Sequence, residues 1–211
     1  MMTGSILGFA AVATYLAAWV LHQRQLRLDS WAQPLSLQTV TMAAIALHGL
    51  AVSGLLFVDN GLDLSLLKII ALLALVINVL VRISGLKKPL QSLNLFLFPI
   101  AALCLLAALL SPSTKPALMM SANMQAHVLI SLLAYSLLAI AALQAMLAGY
   151  QDWQLKHKHQ NLLMRTFPPV QTMEALLFEL IWAGEILLTL SLISGFLFYD
   201  DLFAQKLVHK V

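Results

Sequence analysis

The chain has 211 residues, 61% of them hydrophobic and only 10% charged, with a mean hydropathy of +0.90. A water-soluble domain is nearer half apolar and a quarter charged, so this composition excludes a soluble globular enzyme and points to an integral protein of a lipid bilayer. The net charge of +3 is what basic loops on one membrane face produce, and it implies no nucleic acid partner.

About 20 apolar residues make one helical crossing. Six stretches qualify, over residues 3–21, 37–58, 64–81, 93–110, 126–149 and 175–198. Barrel strands would be shorter and alternating, so the expected fold is all-α: a polytopic transmembrane helix bundle forming one domain over residues 1–211. The first stretch follows no cationic leader and is too long for a signal peptide, so it reads as a retained span. No internal repeat is evident.

The loops set an expected orientation. Eight of the twelve Lys and Arg residues, including Arg24, Arg27, Arg82, Lys87, Lys88, Lys156, Lys158 and Arg165, follow spans one, three and five. The positive-inside rule places those loops in the cytoplasm and both chain ends outside. Asp59-Asn60-Gly61 marks a turn after span two. Lys68, one turn into span three, is expected to snorkel outward. Pro112 and Pro116 end span four. Phe167-Pro168-Pro169 halts the chain before span six, with Thr172 as its expected cap. Residues 200–211 read as a short amphipathic segment or as the approach to another span.

Several polar residues interrupt the apolar runs. His127, Ser131 and Tyr135 follow at steps of four in the stretch 124–150 and fall within about 80° of one another on a helix. A lipid-facing polar stripe is costly, so this one is expected to face protein, water or a ligand. A packed interface with small polar groups satisfies the same pattern. His48 lies about 15 Å deep in span two, where an imidazole must hydrogen-bond, ligate a metal or face a cavity.

His48 and His127 differ in depth by roughly 10 Å, which favours two separate sites over one shared site. His209 is expected on the outer side, within reach of His127. His22, His157 and His159 read as residues of solvated basic loops. Met119, Met120 and Met124 precede His127 and read as filler at the membrane surface, although soft sulfur also suits copper or haem iron. Asn78 and Gln144 are expected to join helices. The lone Cys104 reads as a small core residue. Glu185 sits near the middle of span six, where a carboxylate must be protonated or paired, for instance with His48. Glu174 shares its face and Glu179 does not.

The order and spacing of His127-Val128, Ser131 and Tyr135, together with ALHGLAVSGLLF around His48, LDLSLLK, YQDWQLK, PPVQTMEALLFELIW and GEILLTLSLISGFLF, resemble the cytochrome c assembly family (CcsA/CcmC/HemX-like). The likeness is to its short, YpjD-like branch of bacterial inner membrane proteins and covers most of the chain beyond span one. The resemblance implies a haem-handling protein of the inner (plasma) membrane, haem b as cofactor, and haem-biogenesis or cytochrome assembly proteins as partners. By position, His48 resembles the intramembrane iron ligand and His127 the outer one.

Three departures stand out. The larger members carry a tryptophan-rich outer segment where this chain reads FYDDLFAQKLVHKV, they continue for about two more spans, and Glu185 stands where an apolar residue is expected. C-terminal truncation is one expectation that follows. The leading expectation is axial histidine ligation of haem with no covalent chemistry, hence no enzyme; a CXXCH acceptor would belong to a partner. Two alternatives stay open: a small proton-coupled transporter using Glu185, Glu179 and His48, and a non-catalytic regulator of haem synthesis that binds its partner through residues 150–170.

Overall fold

The structure is a computed structural model that describes residues 2–27, 34–58, 61–85, 91–111, 121–157 and 167–198. Within them lie six helices: α1 (Met2–Arg27), α2 (Leu35–Leu56), α3 (Leu66–Ser84), α4 (Asn94–Leu110), α5 (Ala122–Lys156) and α6 (Val170–Phe198). Five are long and apolar enough to cross a membrane, and α4 has 17 residues. The protein is therefore an all-α polytopic membrane bundle. The short α4 is extended at its start by a 3-10 turn, Gln91–Leu93.

Buried positions fall on one stripe per helix, as a period of 3.6 requires. On α2 the stripe is Leu37, Thr41, Ala44, His48, Ala51, Val52 and Leu56. On α4 it is Leu97, Phe98, Ala101, Ala102, Leu105 and Ala108. Alanine is frequent along these seams because lipid tails are as apolar as leucine, so helices gain by approaching closely. Helix α1 packs on α2 and α4, and α3 packs on α2, α4 and α5. Helices α5 and α6 form an antiparallel pair joined to the rest chiefly through α3.

Most departures from expectation sit at helix ends. Helix α5 starts at Ala122 and continues to Lys156, taking in the beginning of the expected loop. Ser121 caps it by accepting a hydrogen bond from the Met124 amide at 3.3 Å. Helix α6 starts directly after Pro169, so Thr172 lies inside its first turn and its amide donates to the Pro169 carbonyl. It is not the cap. A two-residue antiparallel ladder, Phe57–Val58 with Gly61–Leu62, closes the turn after α2. Gly61 there has φ 136°, a region that side chains disfavour.

Lys68 does not snorkel. Its side chain is 2% exposed and pairs with Asp63 at 2.5 Å. Asp63 also accepts the Ser65 amide at 3.0 Å, ordering the entry to α3. His22 is not in a solvated loop either. It lies within α1, 3% exposed, with its ring edge-on to Phe98 at 6.2 Å.

Candidate functional site

The two candidate imidazoles belong to different helix pairs. His48 is fully buried on α2. Its Nδ1 shares a hydrogen bond of 3.2 Å with the hydroxyl of Tyr15 on α1, and the two rings meet edge to face at 5.5 Å. Tyr15 in turn touches Phe98 of α4 at 6.0 Å. The His48 ring also lies beside the backbone of Ala71 on α3, yet its Nε2 completes no hydrogen bond. An unsatisfied nitrogen in such a place is costly. A proton on Nδ1 donates to the Tyr15 oxygen and leaves Nε2 a lone pair, whereas a proton on Nε2 faces the Ala71 backbone and lets Nδ1 accept from Tyr15.

His127 sits on α5 and faces α6. Its Nδ1 shares a hydrogen bond of 3.0 Å with the Ser194 hydroxyl. A Cβ at Gly195 would lie 2.9 Å from its Cε1, so the glycine is what lets the ring approach. Ser131 continues this seam: its hydroxyl donates to the His127 carbonyl at 2.7 Å and lies 2.5 Å from the Ser191 hydroxyl. Tyr135 leaves the stripe and is 56% exposed. The expected three-residue stripe is thus a two-residue polar contact with α6. His209 and residues 200–211 lie outside the described residues, as do His159, Met119 and Met120.

An apolar cleft of about 590 Å³ opens on the face of α5 opposite His127. Its walls are the turn after α2, the start of α3, and Gln125, Val128, Leu129 and Leu132 of α5. Its volume is in the range of cofactor sites. Among the described residues no three His, Cys, Asp or Glu side chains are grouped to hold a metal ion. Single imidazoles are the candidate iron donors that the sequence singles out. His48 has a buried Nε2 that completes no hydrogen bond, and it lies outside the cleft. His127 fits the role less directly, since its ring is held in a helix contact.

Several of the remaining polar residues brace the helices. Gln144 joins α5 to α6 by donating to the Met173 carbonyl at 3.4 Å, and Gln151 donates to the Pro168 carbonyl at 3.0 Å. Asn78 donates to the Ala74 carbonyl of its own helix at 2.8 Å, so it does not join helices as expected. Glu185 is exposed on α6 while His48 is enclosed against α1, so the expected pairing of these two does not form. Sequence reasoning missed Tyr15, the second half of the His48 site. Its signal was available, since Tyr15, Ala18 and His22 follow at helical spacing on the buried face of α1.

This bundle is that of a multi-pass membrane protein, and the chain belongs to the cytochrome c assembly protein family, which it matches over residues 2–211. Among individual proteins it is 29% identical over 170 residues to the inner membrane protein YpjD of Escherichia coli strain K12, covering 79% of this chain and 64% of that one. The same values hold for YpjD of Escherichia coli O6:H1 and O157:H7. The chain thus spans about 64% of the length of these curated relatives. No solved structure matches it.

Proposed function

We propose that the chain acts in cytochrome c biogenesis in the bacterial inner membrane as a haem-handling protein, with His48 as its intramembrane ligand. The observation that carries this reading is the fully buried His48 ring, whose Nδ1 is held by Tyr15 while Nε2 completes no hydrogen bond beside the Ala71 backbone. Haem b, when bound, supplies an iron that accepts an imidazole nitrogen. Tyr15 fixes the ring's orientation, and the surrounding helices exclude water. Ser194 does the same for His127, the candidate outer ligand, from α6. Family membership supports the reading, and the basic loops favour a chain whose two ends lie outside. The chain holds ligands and orients them without covalent chemistry, so it is not an enzyme in this account. Haem-biogenesis or cytochrome assembly proteins are its expected partners.

The test is an optical spectrum of the purified protein after haem addition. A Soret band is expected, reduced by His48→Ala while helix content by circular dichroism stays unchanged. A wild-type protein that shows no Soret band with excess haem overturns the reading.

A further inference from the structure

The serines of α6 decide which nitrogen of His127 carries its proton. A hydroxyl has a single proton to give. The Ser194 Oγ lies 2.8 Å from the Ser191 carbonyl, which can only accept, so the proton goes there. The same Oγ lies 3.0 Å from His127 Nδ1. With its own proton spent, Ser194 meets the ring as an acceptor, and Nδ1 is the donor. The reverse arrangement would turn the Ser194 proton onto Nδ1 and move the ring proton to Nε2. It would give up the bond to the Ser191 carbonyl and strand an N–H, since among the described residues nothing accepts from Nε2.

The neighbouring bonds run in fixed directions too. Ser131 donates to the His127 carbonyl at 2.7 Å, so its contact with Ser191 is a bond from the Ser191 hydroxyl to the Ser131 oxygen. Every hydroxyl proton of the seam thus goes to an oxygen and none to the ring. Gly195 seats the ring, because a Cβ there would lie 2.9 Å from Cε1. The His127–Ser194 pair is not a nucleophile with its base, since Nδ1 holds a proton where a base needs a lone pair.

We propose that Ser194 is a positioning residue that holds His127 as its Nδ1–H tautomer and so presents Nε2 as a lone pair to haem iron. A ring N–H pinned by a neighbour orients an imidazole ligand and keeps its other nitrogen basic. The ligand rests on the haem reading above, whereas the tautomer rests on the α5–α6 seam alone.

The test reads the tautomer first, by nuclear magnetic resonance of the full chain with isotope-labelled histidine in phosphatidylethanolamine–phosphatidylglycerol bilayers. His127→Gln identifies the His127 signals by difference. The neutral wild-type ring is expected to carry its proton on Nδ1. Ser194→Ala should raise the Nε2–H form several-fold, and Ser194→Thr, which keeps a hydroxyl, should restore the wild-type signal. Ser191→Ala removes an interhelix hydroxyl from the same seam but keeps its carbonyl, so it should leave the tautomer unchanged. A wild-type ring protonated on Nε2 overturns the proposal, and so does an equal response to Ser194→Ala and Ser191→Ala, which would make the role merely structural. Ferric haem b is then titrated into the chain carrying His48→Ala, where Ser194→Ala should weaken binding several-fold and Ser191→Ala should not. An Nδ1–H ring in a chain that takes up no haem overturns the haem reading and not the tautomer. Haem bound by His127 with equal affinity in the wild-type and Ser194→Ala seams overturns the positioning role and leaves the haem reading standing.

Discussion

The indole Nε1 of Trp19 donates a hydrogen bond to the backbone carbonyl of Leu95 at 2.9 Å. Leu95 stands four residues before Pro99, the proline inside α4. Proline has no N–H, so the Leu95 carbonyl has no donor within its own helix. In hydrocarbon such a group must be satisfied by a neighbour. Trp19 does this from α1, which ties the tolerance of the proline inside α4 to a residue 80 positions earlier.

Trp19→Phe is therefore expected to destabilise the bundle by about 1–2 kcal/mol beyond the loss of packing. Pro99→Ala restores a helical donor to Leu95, so the cost of Trp19→Phe should shrink in that background. Unfolding in mixed micelles measures both. An equal cost in the two backgrounds would show that the indole contributes only contact area.

The Asp63–Lys68 pair predicts an acid response. Lys68 beside it holds the Asp63 carboxyl below its ordinary value of 3.8, against the opposing effect of burial. Its folded pKa is thus lower than its unfolded one, so the stabilisation is full above about pH 4 and is lost as pH falls through 3.8 and below. Lys68→Met removes the main lowering cause and leaves burial, which raises the pKa, opposed by the Ser65 hydrogen bonds, which lower it. That variant should be less stable by about 3–5 kcal/mol at neutral pH and should lose less stability than the wild type on acidification. Thermal melts between pH 3 and 7 decide this. A variant with the wild-type pH profile would refute it.

Gly195→Ala places a methyl against the His127 ring. The ring must shift, and the Ser194 hydrogen bond with it, at an expected cost of about 1–3 kcal/mol. His127→Ala makes room for the methyl, so the two substitutions together should cost less than their sum. Strict additivity would mean that the ring and the new methyl do not meet.

Tyr15→Phe removes the partner of His48 Nδ1 in an enclosed site. The expected cost is about 1–3 kcal/mol, the penalty for a buried polar group left unpaired. Denaturant titration of Tyr15→Phe alone and with His48→Leu should show the penalty falling once the imidazole is gone.

Much of the bundle was legible because crossing a membrane requires long apolar runs, and six such runs stand out. Helix ends were less legible, since the chain from Tyr150 to Lys156 is polar enough to read as a loop yet continues α5. The site was legible by residue type and not by partner. His48 and His127 are conspicuous polar groups in apolar runs, but only packing shows that one meets Tyr15 and the other Ser194. Lys68 was misread because snorkelling is the usual solution for a lysine near a span end. Asp63, five residues earlier, offers a shorter route to neutralisation. His22 was misread because its neighbours Arg24 and Arg27 look solvated, while its own position continues the buried face of Tyr15 and Ala18.

Helix α5 runs for 35 residues without a proline, about 52 Å against a hydrocarbon core of about 30 Å. It therefore reaches water at both faces as one stiff shaft. His127 is bolted to α6 near one end, and Gln151 is tied to Pro168, just before α6, near the other. Pinned at two levels, the two rods resist turning about their own axes, so a push on either end is carried by the pair as one body.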